Sequence, residues 1–186
     1  MSIQAPVDRS WGVRVSIQPH DPQENKTMKA RMQSPVIIVP DALRALYAVG
    51  AALKKGGVPE VTHLLVQLRA SQINGCGYCV DMHARELKVA GETDERIFGV
   101  AAWHDSPYFT DAERAALALT EAATRISDRS DPVPDPVWQE ATRYYDEQAL
   151  ASLLLSIALI NFWNRVNVPI RQVAGADPRK EGSAAA

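Results

Sequence analysis

Residues 71–83 read Ser71-Gln72-Ile73-Asn74-Gly75-Cys76-Gly77-Tyr78-Cys79-Val80-Asp81-Met82-His83, and they hold both cysteines of the 186-residue chain. Asn74-Gly75 breaks one apolar periodicity, and a second starts at about Cys76, runs to about Ala90 and stops at Gly91. On an α-helix, positions i, i+3 and i+7 share a face, so Cys76, Cys79 and His83 form one stripe from the helix start. Upstream, Pro59 and Glu60 suit a first helical turn, with Leu64, Leu65, Leu68 and Gln72 inward. Before that, Asp41 is placed to cap a helix carrying Leu43, Leu46, Tyr47, Gly50 and Leu53 on one face, ending at Gly56-Gly57.

The helical pattern continues downstream. Thr93 with Asp94 and Glu95 starts a helix that carries Ile97, Val100 and Ala101 towards Trp103. Thr110 with Glu113 is a capping box, followed by Ala112, Ala115, Ala116, Leu119, Ala122, Ala123 and Ile126 at spacings of three and four. Pro132, Pro134 and Pro136 make a stiff connector, with Asp135 as N-cap of a short helix holding Trp138 and Tyr145. A last helix spans roughly Glu147 to Val166. No strand pair with a hairpin turn and no long repeat is visible, so the fold class is all-α, a bundle of about six to seven helices.

Five of the twelve prolines fall within the first 40 residues. Residues 1–34 therefore read as an irregular arm, with one short extended piece at Trp11 to Ile17. Val36 to Val39, bracketed by Pro35 and Pro40, reads as an extended lead-in. The helical domain is expected over 35–174, with a tail at 175–186.

Composition narrows the function classes. Lys plus Arg is 20 against 22 for Asp plus Glu, a net charge of −2 that argues against a nucleic-acid partner. Two cysteines cannot build a secreted-type disulfide framework. Met1 to Ser34 carries no basic-plus-apolar leader, and the apolar run Ala149 to Trp163 reads as too short to cross a bilayer. The expectation is a soluble cytoplasmic protein without a membrane partner.

Three readings of the cysteine stripe stand side by side. The cysteines can be small buried hydrophobes, with His83 a hydrogen-bonded core residue. They can be zinc ligands with His83 and His63, although no second Cys pair is present. Or they form a redox dithiol: a helix start and a neighbouring imidazole both favour a thiolate, and a thiol one turn away can resolve a sulfenic acid into a disulfide.

From about Pro35 to Val168 the chain resembles the carboxymuconolactone decarboxylase superfamily, specifically its alkylhydroperoxidase D-like branch. The matching text is Leu68 to Cys76, the C-x2-C-x3-H pattern, Gly91-Glu92-Thr93, Ala102-Trp103, the Phe109-Thr110 to Glu121 helix, and Asn161-Phe162-Trp163-Asn164-Arg165. The resemblance implies an all-helical fold that builds homo-oligomers, and a thiol-dependent peroxidase (peroxiredoxin activity) without cofactor or metal. Cys79 would attack the hydroperoxide, Cys76 would resolve, and His83 would accept the thiol proton. An external dithiol would reset the pair. The dipole alone favours Cys76 as the thiolate, and proximity to His83 favours Cys79.

Members with a full proton relay carry Glu twelve residues before the first Cys, and that position is Leu64 here. Glu60, one turn earlier, and the adjacent His63 are candidate substitutes. Tyr78 stands where the family can have His. Two other functions stay open: a decarboxylase of a cyclic lactone acid, and a non-enzymatic redox-sensing or oligomeric module. Arg69, Ser71, Gln72 and Asn74 read as helix-end or interface groups, and Asn161, Asn164 and Arg165 as interior polar groups. Trp103, Trp138 and Trp163 read as core, and His104 as solvated. Ala149 to Trp163 is apolar on essentially every face, so either the chain's other helices or a neighbouring subunit must surround it, and the resemblance implies a subunit interface, in a trimer or hexamer.

Overall fold

Polar side chains at the helix starts set much of the architecture. Thr93 accepts the Arg96 N–H, Thr110 and Glu113 form a reciprocal capping box, and Asp146 accepts the Ala149 N–H. Each such cap is worth about 1 kcal/mol. The computed structural model describes residues 28–177. Its helices are α1 (Pro35–Ile38), α2 (Pro40–Leu53), α3 (Glu60–Ile73), α4 (Gly77–Val89), α5 (Asp94–Gly99), α6 (Asp111–Thr124), α7 (Asp135–Tyr144) and α8 (Glu147–Ile170). Short 3-10 segments follow α5 at Val100–Asp105 and α6 at Ile126–Asp128. Among the described residues there is no strand, and the all-α expectation holds.

The helix at the centre is α3. It packs on α4, α6 and α8 and buries residues around its circumference: Thr62, His63, Leu65, Val66, Leu68, Ala70 and Ser71. Val66 joins a cluster with Leu119, Leu150, Leu153 and Ile157. Leu65 and Leu68 join Leu87, Val100, Trp103 and Leu117 on another side. Ala70 joins Cys76, Cys79 and Ile160 on a third. One helix thus divides the apolar core, and its C-terminal end carries the cysteine loop.

Several expectations change. Val36 to Val39 is mostly helical, because Pro35 pre-sets the first φ and the Val39 N–H closes a single turn on the Pro35 carbonyl. This extra turn, α1, raises the helix count above seven. Asp41 and Asp135 lie inside the first turns of α2 and α7, one or two residues past the caps, where their charge meets the helix dipole. Ile126 is exposed beyond the end of α6, and Trp138 is at the surface rather than in the core.

The last helix runs beyond Val166 to Ile170 because Asn164 to Val168 contains no breaker, and Pro169 falls in its final turn. Arg31 covers the freed end, its N–H donating to the Ile170 carbonyl at 2.7 Å and its guanidinium to the Pro169 carbonyl at 3.0 Å. At 24 residues α8 is long and apolar enough to cross a bilayer by length and composition, contrary to the shorter run expected. Half of its most apolar window is buried inside the fold. Its outer stripe, Ala151, Leu155, Ala158 and Phe162, is uncovered in the single chain, with Leu155 54% and Phe162 42% exposed. The extended piece expected at Trp11 to Ile17 lies outside the described residues, as do most of the arm and tail.

Candidate active site

Three residues turn the chain from α3 into α4. Asn74 ends α3, Gly75 takes φ +67°, and Cys76 returns to extended backbone as N-cap of α4. A side chain at position 75 would strain this left-handed turn. The Cys76 N–H donates to the Ser71 carbonyl at 3.0 Å, which ties the turn to the end of α3. As N-cap, Cys76 presents Sγ to the Cys79 N–H at 3.4 Å. The two Cα atoms are 5.3 Å apart, within disulfide reach, and the sulfurs are joined. Both cysteines are buried.

Below them lies a ladder of amides from α8. Asn74 Nδ2 donates to Asn161 Oδ1 (3.0 Å) and to Asn164 Oδ1 (2.8 Å). Asn164 Nδ2 donates to Ser71 Oγ (3.1 Å), and Asn161 Nδ2 to Thr124 Oγ1 (3.1 Å). Asn167 Nδ2 donates to Cys79 Sγ at 3.5 Å. Buried amides are costly unless paired, and here their pairing locks α8 against the turn that carries the dithiol.

His83 lies on the cysteine stripe and is buried. Its Nδ1 is 2.7 Å from Glu86 Oε2, one turn further along α4. An ionised carboxylate only accepts, so the proton sits on Nδ1 and the lone pair on Nε2. Nε2 is buried and meets no hydrogen-bond partner among the described residues. A cavity of about 700 Å³ opens beside it, lined by Tyr78, Met82, His83, Glu86 and Asn167 and walled by apolar side chains including Tyr47 and Trp163.

The other relay candidates sit differently. Glu60 is exposed and accepts from Lys54 Nζ at 2.8 Å, which holds its carboxyl below the usual range. His63 is buried, and neither ring nitrogen meets a hydrogen-bond partner among the described residues. Burial pushes its pKa down, Lys54 adds to this, and Glu60 opposes it. It lines a second cavity of about 1150 Å³ together with Glu60, Leu64, His83 and Glu86. Tyr78 is half-buried on the first cavity. Arg69 is taken up by Glu121, with Nη2 to Oε1 at 2.6 Å, and His104 is exposed with Glu121 Oε2 3.9 Å from its Nε2. Among the described residues no cluster of three or more His, Cys, Asp or Glu is placed to hold a metal ion.

Two site residues escaped the sequence reading. Glu86 stands at i+3 from His83, a spacing that puts both on one helix face and was available as a signal. Asn167 continues the three-residue spacing of Asn161 and Asn164, but lies past Val166, where the helix was expected to stop.

Fold and site define a class: an all-helical protein with a Cys-x2-Cys disulfide capping a buried helix start, beside a carboxylate-paired histidine. Residues 40–122 match the carboxymuconolactone decarboxylase family. The uncharacterized protein YdfG of Bacillus subtilis (strain 168) is 34% identical over 131 residues, spanning 70% of this chain and 88% of YdfG. The chain belongs to the carboxymuconolactone decarboxylase family. The crystal structure of ATU0492 from Agrobacterium tumefaciens, a protein of unknown function and a candidate antioxidant-defence AhpD, superposes with a TM-score of 0.73 at 30% identity. That match covers 80% of this chain and 100% of the other. The debrominase Bmp8 shares the fold, with a TM-score of 0.68 at 22% identity over 78% of this chain and 77% of its own.

Proposed function

We propose that the protein is a thiol-dependent peroxidase with a role in antioxidant defence. The observation that carries this reading is the Cys76–Cys79 disulfide at the α4 start, with His83 on the same stripe and a cavity beside it. In the first step the Cys79 thiol gives its proton to His83 Nε2 by way of a bridging water, and the thiolate attacks the outer oxygen of a hydroperoxide. An S–O bond forms, the O–O bond breaks, and the departing alkoxide takes the proton back from His83. Cys76 then attacks the Cys79 sulfenic acid, the S–S bond forms and water leaves. An external dithiol supplies the two electrons that reopen the disulfide by exchange, becoming a disulfide itself. Such a cycle suits a reducing compartment, the cytoplasm. Glu86, in place of the relay carboxylate absent at Leu64, holds the His83 tautomer that leaves Nε2 free to accept.

The decarboxylase reading finds less support. A lactone acid needs an anion-binding wall, yet among the described residues the first cavity is lined by Glu86 and Asp177 with no Lys or Arg, and in the second Lys54 is paired with Glu60 and Arg85 with Asp81. The uncovered stripe of α8 and the exposed Tyr47 of α2 favour a homo-oligomer, in which a second copy shields Leu155 and Phe162. Stopped-flow measurement of thiol loss with an organic hydroperoxide tests the activity. Wild type should lose two thiols per equivalent of peroxide, Cys76→Ser should still react, and Cys79→Ser should not. Thiols that persist in the wild type would leave the pair a sensing or structural disulfide.

A further inference from the structure

Two sulfurs three residues apart on one helix start almost alike, and something must decide which of them carries negative charge. The helix itself favours Cys76. As N-cap its sulfur faces the positive end of α4 and accepts the Cys79 N–H at 3.4 Å. Cys79 lies one turn inside, and the hydrogen bond its sulfur accepts comes from another element: Nδ2 of Asn167 on α8, at 3.5 Å. We propose that Asn167 is a catalytic residue, the donor that places the thiolate on Cys79 and thereby makes it, rather than Cys76, the first nucleophile.

The geometry supports the assignment in four ways. The amide is buried, 7% exposed, and Cys79 is fully enclosed, so the donor acts where solvent does not screen it. A thiolate or disulfide sulfur offers only lone pairs, so the NH2 end of the amide must face it. Asn167 is also held in place: it sits one turn beyond Asn164, which is tied to Ser71 at 3.1 Å, and its turn is closed by the Arg31 bond to the Ile170 carbonyl at 2.7 Å. Asn167 lines the same cavity as His83, so proton acceptor and charge-holding donor meet the substrate together.

Ionised groups on the packed elements are engaged elsewhere. On α3, Glu60 pairs with Lys54 and Arg69 with Glu121; on α8, Arg165 bonds to Asn161. On α5, Asp94 pairs with Lys88 and Arg96 with Glu92 and Glu113, while Glu95 is exposed. Glu147 is exposed at the far end of α8, and His63 lines the neighbouring cavity. On α4 itself, Asp81 is bonded to Arg85 and Glu86 to His83. Tyr78 also packs against the cysteine cluster, and Asn167 Nδ2 is a side-chain donor within hydrogen-bond distance of Cys79 Sγ, in the cavity that His83 lines.

That Cys79 attacks peroxide rests on the function proposed above; its thiolate preference does not, and is measured without peroxide. Reduced full-length protein is alkylated with iodoacetamide across pH 5–10 (about the span in which thiols titrate), and each cysteine is quantified by mass spectrometry. In Asn167→Ala the Cys79 midpoint should rise by about one pH unit, a roughly tenfold loss of thiolate at neutral pH, while Cys76 keeps or gains reactivity. The isosteric Asn167→Asp, which preserves volume and replaces the donor by a carboxylate, should shift Cys79 further in the same direction. A Cys79 midpoint unmoved in both variants, or both cysteines shifting together, overturns the assignment. If the shift appears but wild-type protein resists hydroperoxide, the peroxidase reading fails and Asn167 remains the donor that sets the Cys79 thiolate.

Discussion

Replacing Glu86 by leucine keeps an aliphatic side chain on α4 and removes the carboxylate that accepts the His83 Nδ1–H at 2.7 Å. A hydrogen bond to a charged group is worth about 1.5–3 kcal/mol when buried. Here the histidine side chain is 7% exposed but the glutamate 47%, so solvent screens roughly half of that energy, leaving about 0.8–1.5 kcal/mol. If the bond holds the reactive tautomer through the transition state, its loss slows Cys79 oxidation by about 4- to 12-fold. The assay is stopped-flow thiol loss under excess organic hydroperoxide, with His83→Ala and Glu60→Gln alongside. The histidine variant should be slower still, by about a hundredfold or more, as for loss of a general base. Glu60→Gln should react like wild type, because Glu60 is bound to Lys54 on the surface. Wild-type rates in Glu86→Leu, or an equal loss in Glu60→Gln, would refute the role given to Glu86.

Burial and Lys54 hold the pKa of His63 below its unfolded value of 6.5, so the unfolded chain takes up a proton that the native fold resists. Stability from this group is full above about that pH and falls as pH drops towards the folded value; thermal melts between pH 7.5 and 5.5 (roughly a unit either side) should show the decline, and His63→Leu should flatten it. Glu113, held below the usual range by Arg96 despite burial, and Glu121, held there by Trp103 and then Arg69, contribute only in a lower window, their stabilisation lost as pH falls below 4.5 through their folded values. Gly56→Ala would set a Cβ 2.3 Å from Ser152 Cβ, and should cost about 1–3 kcal/mol in a denaturant titration. Light scattering should give wild type a mass at least twice 20.4 kDa, and Leu155→Glu should reduce it; a wild-type monomer at every concentration would remove the oligomer.

Helix ends were the most legible part of the fold, because their signals are local: Thr93, Thr110 with Glu113, and the Asn74-Gly75 break act within a turn of themselves. Periodicity also located the cysteine stripe, since Cys76, Cys79 and His83 needed only the geometry of one helix. What stayed hidden depends on other elements. Nothing near Val36 shows that Pro35 starts a helical turn rather than an extended lead-in. The centrality of α3 arises from α4, α6 and α8 closing around it, which its own pattern of polar and apolar residues obscures. Asn167 became a sulfur ligand only through the packing of α8 on the cysteine turn, 88 residues away in sequence. Leu64 drew attention to the missing relay carboxylate, and the carboxylate that pairs with His83 lies on the histidine's own helix.

The chemistry proposed for the dithiol turns on which sulfur meets the peroxide. In Cys76→Ser the sulfenic acid on Cys79 has no partner thiol and should persist long enough to be trapped. Reduced Cys76→Ser protein treated with one equivalent of organic hydroperoxide in the presence of dimedone, then digested for mass spectrometry, reads this out directly. The expected result is one dimedone adduct on Cys79, with little on Cys76 in the reciprocal Cys79→Ser protein. An unmodified Cys79, or adducts forming equally fast on Cys76 in the reciprocal variant, would contradict it.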